Sequence, residues 1–203
     1  MEEYKIFILG SGRHCHVTED VFKALFGEGA TLTKVRELYE DPLAGFLAEE
    51  KVTVVGAKGE FKASILGPFR KYTQVEISRT DATNYGFEPV MSNSGELEGT
   101  CPCVLKGPKG EVKLKEGVMV VRRHVHLDPL IAEKLGVTKE SALKVKVGGP
   151  RGLIFDQCAL APNSPGVPSV LHIDYDEMNA IGVTNKEKPW GTLIFDPDDK
   201  LVY

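Results

Sequence analysis

Long apolar runs are missing from this chain. No stretch of its 203 residues approaches the roughly 20 consecutive apolar positions of a membrane-spanning helix. Ile6-Phe7-Ile8-Leu9, near the start, is too short for a signal-peptide core. An excess of basic residues is missing too: 25 Lys and Arg stand against 29 Asp and Glu, a net charge of −4. That leaves no footprint for nucleic acid or an anionic membrane, and neither is expected as a partner. Cysteines number four: Cys15, Cys101, Cys103 and Cys158. A cytoplasmic chain keeps them reduced. Cys101-Pro102-Cys103 has no second Cys-x-x-Cys or His partner at zinc-finger spacing, so it reads as structural. The chain is long enough to bury about 70% of its unfolded surface without staples, as one large or two small domains.

Histidine is also scarce, which makes its placement informative. Four of the five lie in two near-copies of one tetrapeptide, Arg13-His14-Cys15-His16 and Arg123-His124-Val125-His126, 110 positions apart. On a strand, residues i and i+2 face the same side, about 6.6–6.8 Å apart along the chain. Each His-x-His then presents two imidazoles to one point, while Cys15 faces away and is no ligand. Imidazole binds zinc and other borderline metals. The first reading is two metal half-sites made by a duplicated element.

A third donor is needed. His172 is the one imidazole left, but its apolar flanks, Val170, Leu171 and Ile173, suit a hydrogen-bonded core histidine as well. Between Gly67 and Asp81, Glu76 faces away from Val75 and Ile77. Arg70, Glu76 and Arg79 form either a solvated strand face or a metal carboxylate with an anion-holding arginine, whose planar fork donates bidentate hydrogen bonds. Gly148 to Gly152 reads as a turn, since no convincing helix follows it.

Strand signals dominate. Lys51–Val55 and Glu60–Leu66 flank a turn at Gly56–Gly59, and Cys103–Lys106 and Glu111–Lys115 flank one at Gly107–Gly110; both turns read Gly-x-Lys-Gly-Glu. Tyr4–Leu9, Val118–Arg122, Lys144–Val147, Leu153–Phe155 and Leu193–Phe195 are further strands. Helices are predicted over Thr18–Phe26, Asp128–Leu135 and Asp174–Ala180, the first two with N-cap candidates in Thr18 and Asp128, and each followed by a glycine. Two follow the Arg-His-x-His copies directly, so the repeat is strand, Arg-His-x-His, capped helix, glycine. The fold expected is mainly β with short capping helices, in two β-barrel-like halves. Residues 27–48 fit neither pattern and are expected to be an excursion.

The motifs resemble those of the PduL-type phosphate acyltransferases (phosphate propanoyltransferases) of bacterial propanediol and related microcompartments. The resemblance runs from about residue 4 to about 183. It rests on Arg13-His14-Cys15-His16, Gly67-Pro68-Phe69-Arg70, Thr73 to Asp81, Leu114 to Val118, Arg123 to Leu127, Gly152 to Asp156 and Leu171 to Asp174. It implies two interleaved β-barrels, residues 3–12 plus 122–203 and residues 13–121, with a dinuclear zinc site. His14, His16 and Glu76 would hold one zinc and His124, His126 and His172 the other. Arg70 would bind phosphate, and Gly10, Ser11, Gly12 and Asn179 would touch coenzyme A (CoA). The implied reaction converts acyl-CoA and phosphate to acyl phosphate and CoA, with the first metal serving the sulfur and the second metal and Arg70 the phosphate. Gly12 stands where the family usually has Asn, so any contact there comes from backbone. The chain starts almost directly on its first strand, without the amphipathic extension of encapsulated members. The expected location is the cytoplasm, with a microcompartment and a homo-oligomer left open. Two rivals stand beside this reading: a dinuclear metal hydrolase acting on a thioester or amide, and a metal-binding module without catalysis.

Overall fold

A computed structural model describes residues 3–38 and 45–202. The elements run as two tandem repeats. The first is β1 (Lys5–Ser11), β2 (His14–His16), α1 (Glu19–Phe26), β3 (Lys34–Glu37), β4 (Phe46–Gly56), β5 (Gly59–Gly67), β6 (Gln74–Glu76), α2 (Arg79–Tyr85), β7 (Met91–Ser92) and β8 (Cys101–Lys106). The second is β9 (Glu111–Val121), β10 (His124–His126), α3 (Pro129–Leu135), β11 (Leu143–Val147), β12 (Leu153–Ala161), β13 (Val170–Asp174), α4 (Tyr175–Ile181) and β14 (Trp190–Ile194). Without β3 and β7 the two lists are the same sequence of elements.

Twelve of the strands close into two rings of six. In one, β1, β13, β10, β12, β11 and β14 pair in that order and close. In the other, β4 pairs β5, β5 pairs β2, β2 pairs β6, β6 pairs β9, β9 pairs β8, and β8 returns to β4. Closure removes the exposed edges that an open sheet leaves. The pairings match one for one if β1 and β9 trade places. β1 runs parallel to β13 and antiparallel to β14, and β9 does the same with β6 and β8. The leading strand of each repeat thus completes the ring of the other. The chain accordingly divides into two compact units, Met1–Ser11 with Arg122–Tyr203, and Gly12–Val121.

Strand alternation decides what fills each ring. Cys15, Val52, Val54, Ala63, Ile65, Val75, Leu105 and Val118 are buried together in one. Ile6, Ile8, Val125, Leu143, Val145 and Leu171 fill the other. Each such Val, Leu or Ile contributes roughly 1.5–3 kcal/mol by leaving water. The residues between the paired histidines, Cys15 and Val125, are wholly buried in these cores, so the histidines take the opposite face.

The mainly β architecture and both hairpins are as the sequence predicts. Differences arise where local signals mislead. Glu111–Lys115 and Val118–Arg122 read as separate strands, but β9 is one strand that passes through Gly117 at φ 130°, a value that favours glycine. β12 continues past Phe155 through Gln157 at φ 56°, where its register with β11 shifts. Helix α2 is not expected from the sequence, because Thr80, Thr83 and Asn84 are weak helix formers. Ser78, accepting from the Asp81 N–H, and a left-handed Gly86 cap it. Of the expected excursion, Lys34–Glu37 is an exposed strand paired to the start of β4, and residues 39–44 lie outside the described residues.

Candidate functional site

The six expected metal ligands form two separate clusters, each wholly within one unit. His14, His16 and Glu76 have ligand-type atoms within 4.8 Å of one another, as do His124, His126 and His172. Strand register brings them together. β2 lies antiparallel to β6 with His14 opposite Glu76 and His16 opposite Gln74. β10 lies antiparallel to β13 with His124 opposite His172 and His126 opposite Val170. Glu76 and His172 therefore occupy the same position in the two repeats. His172 lies among ring neighbours, 5.0 Å from His124 and 4.7 Å from His126 between centroids.

Hydrogen bonds orient the imidazoles. A carbonyl can only accept, so each Nδ1 that faces one carries the proton. His14 Nδ1 donates to the Gly12 carbonyl at 2.8 Å and His124 Nδ1 to the Arg122 carbonyl at 2.9 Å. His16 Nδ1 donates to the Leu66 carbonyl at 3.2 Å, and His126 Nδ1 to that of Pro162. In the neutral ring Nε2 is then the lone-pair nitrogen in all four, the tautomer that metal-bound histidines adopt when a backbone carbonyl holds the other nitrogen. In the first set, His14 Nε2 lies 3.2 Å from Glu76 Oε2 and His16 Nε2 lies 3.7 Å from Glu76 Oε1. Burial pulls the His14 pKa down, but the Glu76 carboxylate outweighs it and leaves a net rise. Burial holds His16 at about 4, against Glu76 and reinforced by His14 and Arg70. Imidazoles and a carboxylate converging on one point are a donor set for zinc once the imidazoles are deprotonated, and the residues fit that ion.

The arginine of Arg-His-x-His has a part that the sequence pattern does not reveal. Arg13 Nε donates to Asp81 Oδ2 at 3.1 Å, and Arg123 Nε to Glu177 Oε1 at 2.7 Å. Asp81 and Glu177 are both the third residue of the helix that follows the third ligand, after the N-caps Ser78 and Asp174. Each arginine also lies over an aromatic ring of the strand parallel to the histidine strand, Phe61 or Phe155, at 5.5 Å. The motif thus ties the ligand strand to the helix beside the third ligand, twice.

Burial pushes the Glu177 carboxyl from its ordinary 4.5 up to about 7, against the lowering pull of Arg123. An acid whose pKa rises on folding stabilises the fold below its unfolded value, and that stability is lost as pH climbs to the folded value. The metal-free protein should lose up to roughly 3 kcal/mol from this group across that interval. Denaturant titrations of Glu177→Gln should show that slope flattened; an unchanged profile would remove Glu177 as its source.

Arg70 follows β5 on a pinned loop. Its N–H donates to the Val17 carbonyl at 2.9 Å, and Phe69 packs on Phe22 at 5.3 Å between centroids. Gly67 is needed there, since a Cβ would come within 2.3 Å of the Phe46 ring. The Arg70 side chain is exposed, yet its charge is felt at His16. Of the expected CoA contacts, Gly10 has a packing reason of its own: a Cβ would meet Met178 of α4 at 2.5 Å. Asn185, not singled out from sequence, bonds both the N–H and the carbonyl of Gly10 at 2.8 Å. Ser11 ends β1, Gly12 is engaged through its carbonyl by His14, and Asn179 lies exposed on α4.

Gln74 also escapes sequence reasoning. It is wholly buried, and its Nε2 donates to Glu76 Oε1 at 2.6 Å and to Ser94 Oγ at 2.9 Å. Its Oε1 accepts the Gly95 N–H at 2.7 Å. The one sequence signal is its place two residues before a ligand on the same strand face.

No helix among the described residues is long and apolar enough to cross a membrane. A family model described as phosphate propanoyltransferase matches residues 7–184. Proteins named phosphate propanoyltransferase are similar over most of their length. One from Clostridioides difficile is 41% identical over 182 residues, 89% of this chain and 86% of that protein. One from Sebaldella termitidis is 43% identical over 180 residues, covering 88% and 83%, and one from Thermotoga maritima 42% over 181 residues, covering 88% and 85%.

Proposed function

The chain belongs to the phosphate propanoyltransferase family, and from that premise we propose that it is a zinc-dependent phosphate acyltransferase. It would convert a short-chain acyl-CoA, propanoyl-CoA or similar, and phosphate reversibly to acyl phosphate and CoA. The observation that carries this reading is the pair of pinned ligand sets, each with three protein donors. Three donors leave a coordination position open, as catalytic zinc sites do. Zinc held by these sets would stabilise the departing thiolate and draw charge from the thioester carbonyl. Arg70, on its anchored loop, would hold phosphate through its planar fork.

Transfer is direct in this reading. A phosphate oxygen bonds to the carbonyl carbon, the C–S bond breaks, and its electron pair leaves on sulfur. All five histidines belong to the two ligand sets, so none remains as base for a serine or cysteine nucleophile. Burial pushes the thiols of Cys103 and Cys158 up to about 12 and that of Cys15 upward, which keeps them protonated and unreactive at neutral pH. Holding two reactants in register can lower the barrier by about 7–11 kcal/mol without a covalent intermediate.

The test is CoA release from propanoyl-CoA with and without phosphate. Release should require phosphate and yield a product that hydroxylamine traps as the hydroxamate. Release at the same rate without phosphate would identify a hydrolase instead. After a single turnover with acyl-labelled substrate, denatured protein should carry no label; retained label would overturn direct transfer.

A further inference from the structure

The two ligand sets differ at two positions of the same strand, and both positions face the ligands. β6 reads Gln74-Val75-Glu76 where β13 reads Val170-Leu171-His172. Registers align them: His16 faces Gln74 as His126 faces Val170, and His14 faces Glu76 as His124 faces His172. Where the third donor is a carboxylate, its same-face neighbour is a wholly buried amide; where it is an imidazole, that neighbour is valine.

The physical reason is rotational. A carboxylate at the end of a three-torsion side chain has a broad, poorly determined terminal torsion and two equivalent oxygens. Gln74 removes that freedom. Its two amide hydrogens go to Glu76 Oε1 and Ser94 Oγ, and its oxygen to the Gly95 N–H. All three bonds fix which way the amide points: flipped, its oxygen would face a carboxylate and its NH₂ a backbone N–H. With Oε1 held by Gln74, Oε2 lies 3.2 Å from His14 Nε2.

We propose that Gln74 is the positioning residue of the first metal set: it orients the Glu76 carboxylate, and Gln74 and Glu76 act as one unit that Val170 and His172 replace in the second set. The inference rests on the reading that His14, His16 and Glu76 hold zinc. A partner in the outer shell of a metal ligand is typically worth 10–100-fold in metal affinity.

The test uses the full chain and zinc alone, in competition with a chromophoric chelator. Gln74→Met keeps the side chain's volume and removes its hydrogen bonds. One zinc should loosen about 10–100-fold while the other is unchanged, and the metal-free variant should melt close to the wild type. Glu76→His alone should bind the first zinc poorly, and Gln74→Val with Glu76→His should recover it by recreating the second set. A Gln74→Met protein that holds both ions as the wild type does, or loosens both equally, overturns the proposal. So does a double variant no tighter than Glu76→His alone. If Gln74→Met does not fold, Ser94→Ala removes one partner of the amide and should loosen the same single zinc; unchanged affinity would count against the idea. A folded wild-type protein with no zinc site sensitive to Glu76→Ala fails the underlying reading, and this inference with it.

Discussion

Stripped of metal by a chelator, the protein should lose phosphate-dependent CoA release by about 10³-fold or more, and zinc added back should restore it. A metal acting as Lewis acid supplies several kcal/mol of transition-state stabilisation, and about 4 kcal/mol is a factor of 10³ in rate. All five histidines lie in the two candidate ligand sets, and burial favours the protonated form of three of the four thiols. Cobalt or iron should substitute to differing degrees, since the same imidazole donors accept them. Full activity in a protein shown to be metal-free would sink the metal-dependent reading. Metal bound with no acyl transfer to phosphate would point instead to a binding module.

Arg70→Ala should lower kcat/KM for phosphate by about 10–10²-fold, since hydrogen bonds to a charged group are worth about 1.5–3 kcal/mol, with most of the loss in KM because phosphate is held before it reacts. The fold should tolerate it. The loop is anchored by the Arg70 N–H to Val17 and by Phe69 on Phe22, neither of which needs the guanidinium. Arg70→Lys should recover only part of the activity, because an ammonium is a point charge without the planar fork. Steady-state kinetics with phosphate varied would decide it: an Arg70→Ala protein with the wild-type phosphate dependence removes Arg70 from the site.

Much of the candidate site is legible in the residues alone. Two His-x-His copies in a chain with five histidines point to paired ligands, and period-two alternation puts Cys15 and Val125 on the other face. Thr18 and Asp128 do cap α1 and α3. The third ligands are less secure. From its own flanks His172 serves as well for a core residue, and Glu76 for a solvated face; only the resemblance to known acyltransferases singles them out. Arg13, Arg123 and Gln74 have roles that no short window shows, because most of their partners are remote in sequence, on helices or in a loop. Arg13 reaches Asp81, Arg123 reaches Glu177, and Gln74 reaches Ser94 and Gly95 as well as Glu76.

What the sequence determined by itself was local: ligand types, the strand face they share, the capped helices that follow, and the duplication. These depend on the two-residue period of a strand and on side-chain caps a few residues away, both present in any short window of the chain. The tertiary structure decided which residues meet. The equivalence of Glu76 and His172, the closing of each ring by the other repeat's leading strand, and the tie from each motif arginine to its helix all depend on pairing register. Register is set by how whole apolar faces pack against one another, and a slip of one residue would turn every ligand inward.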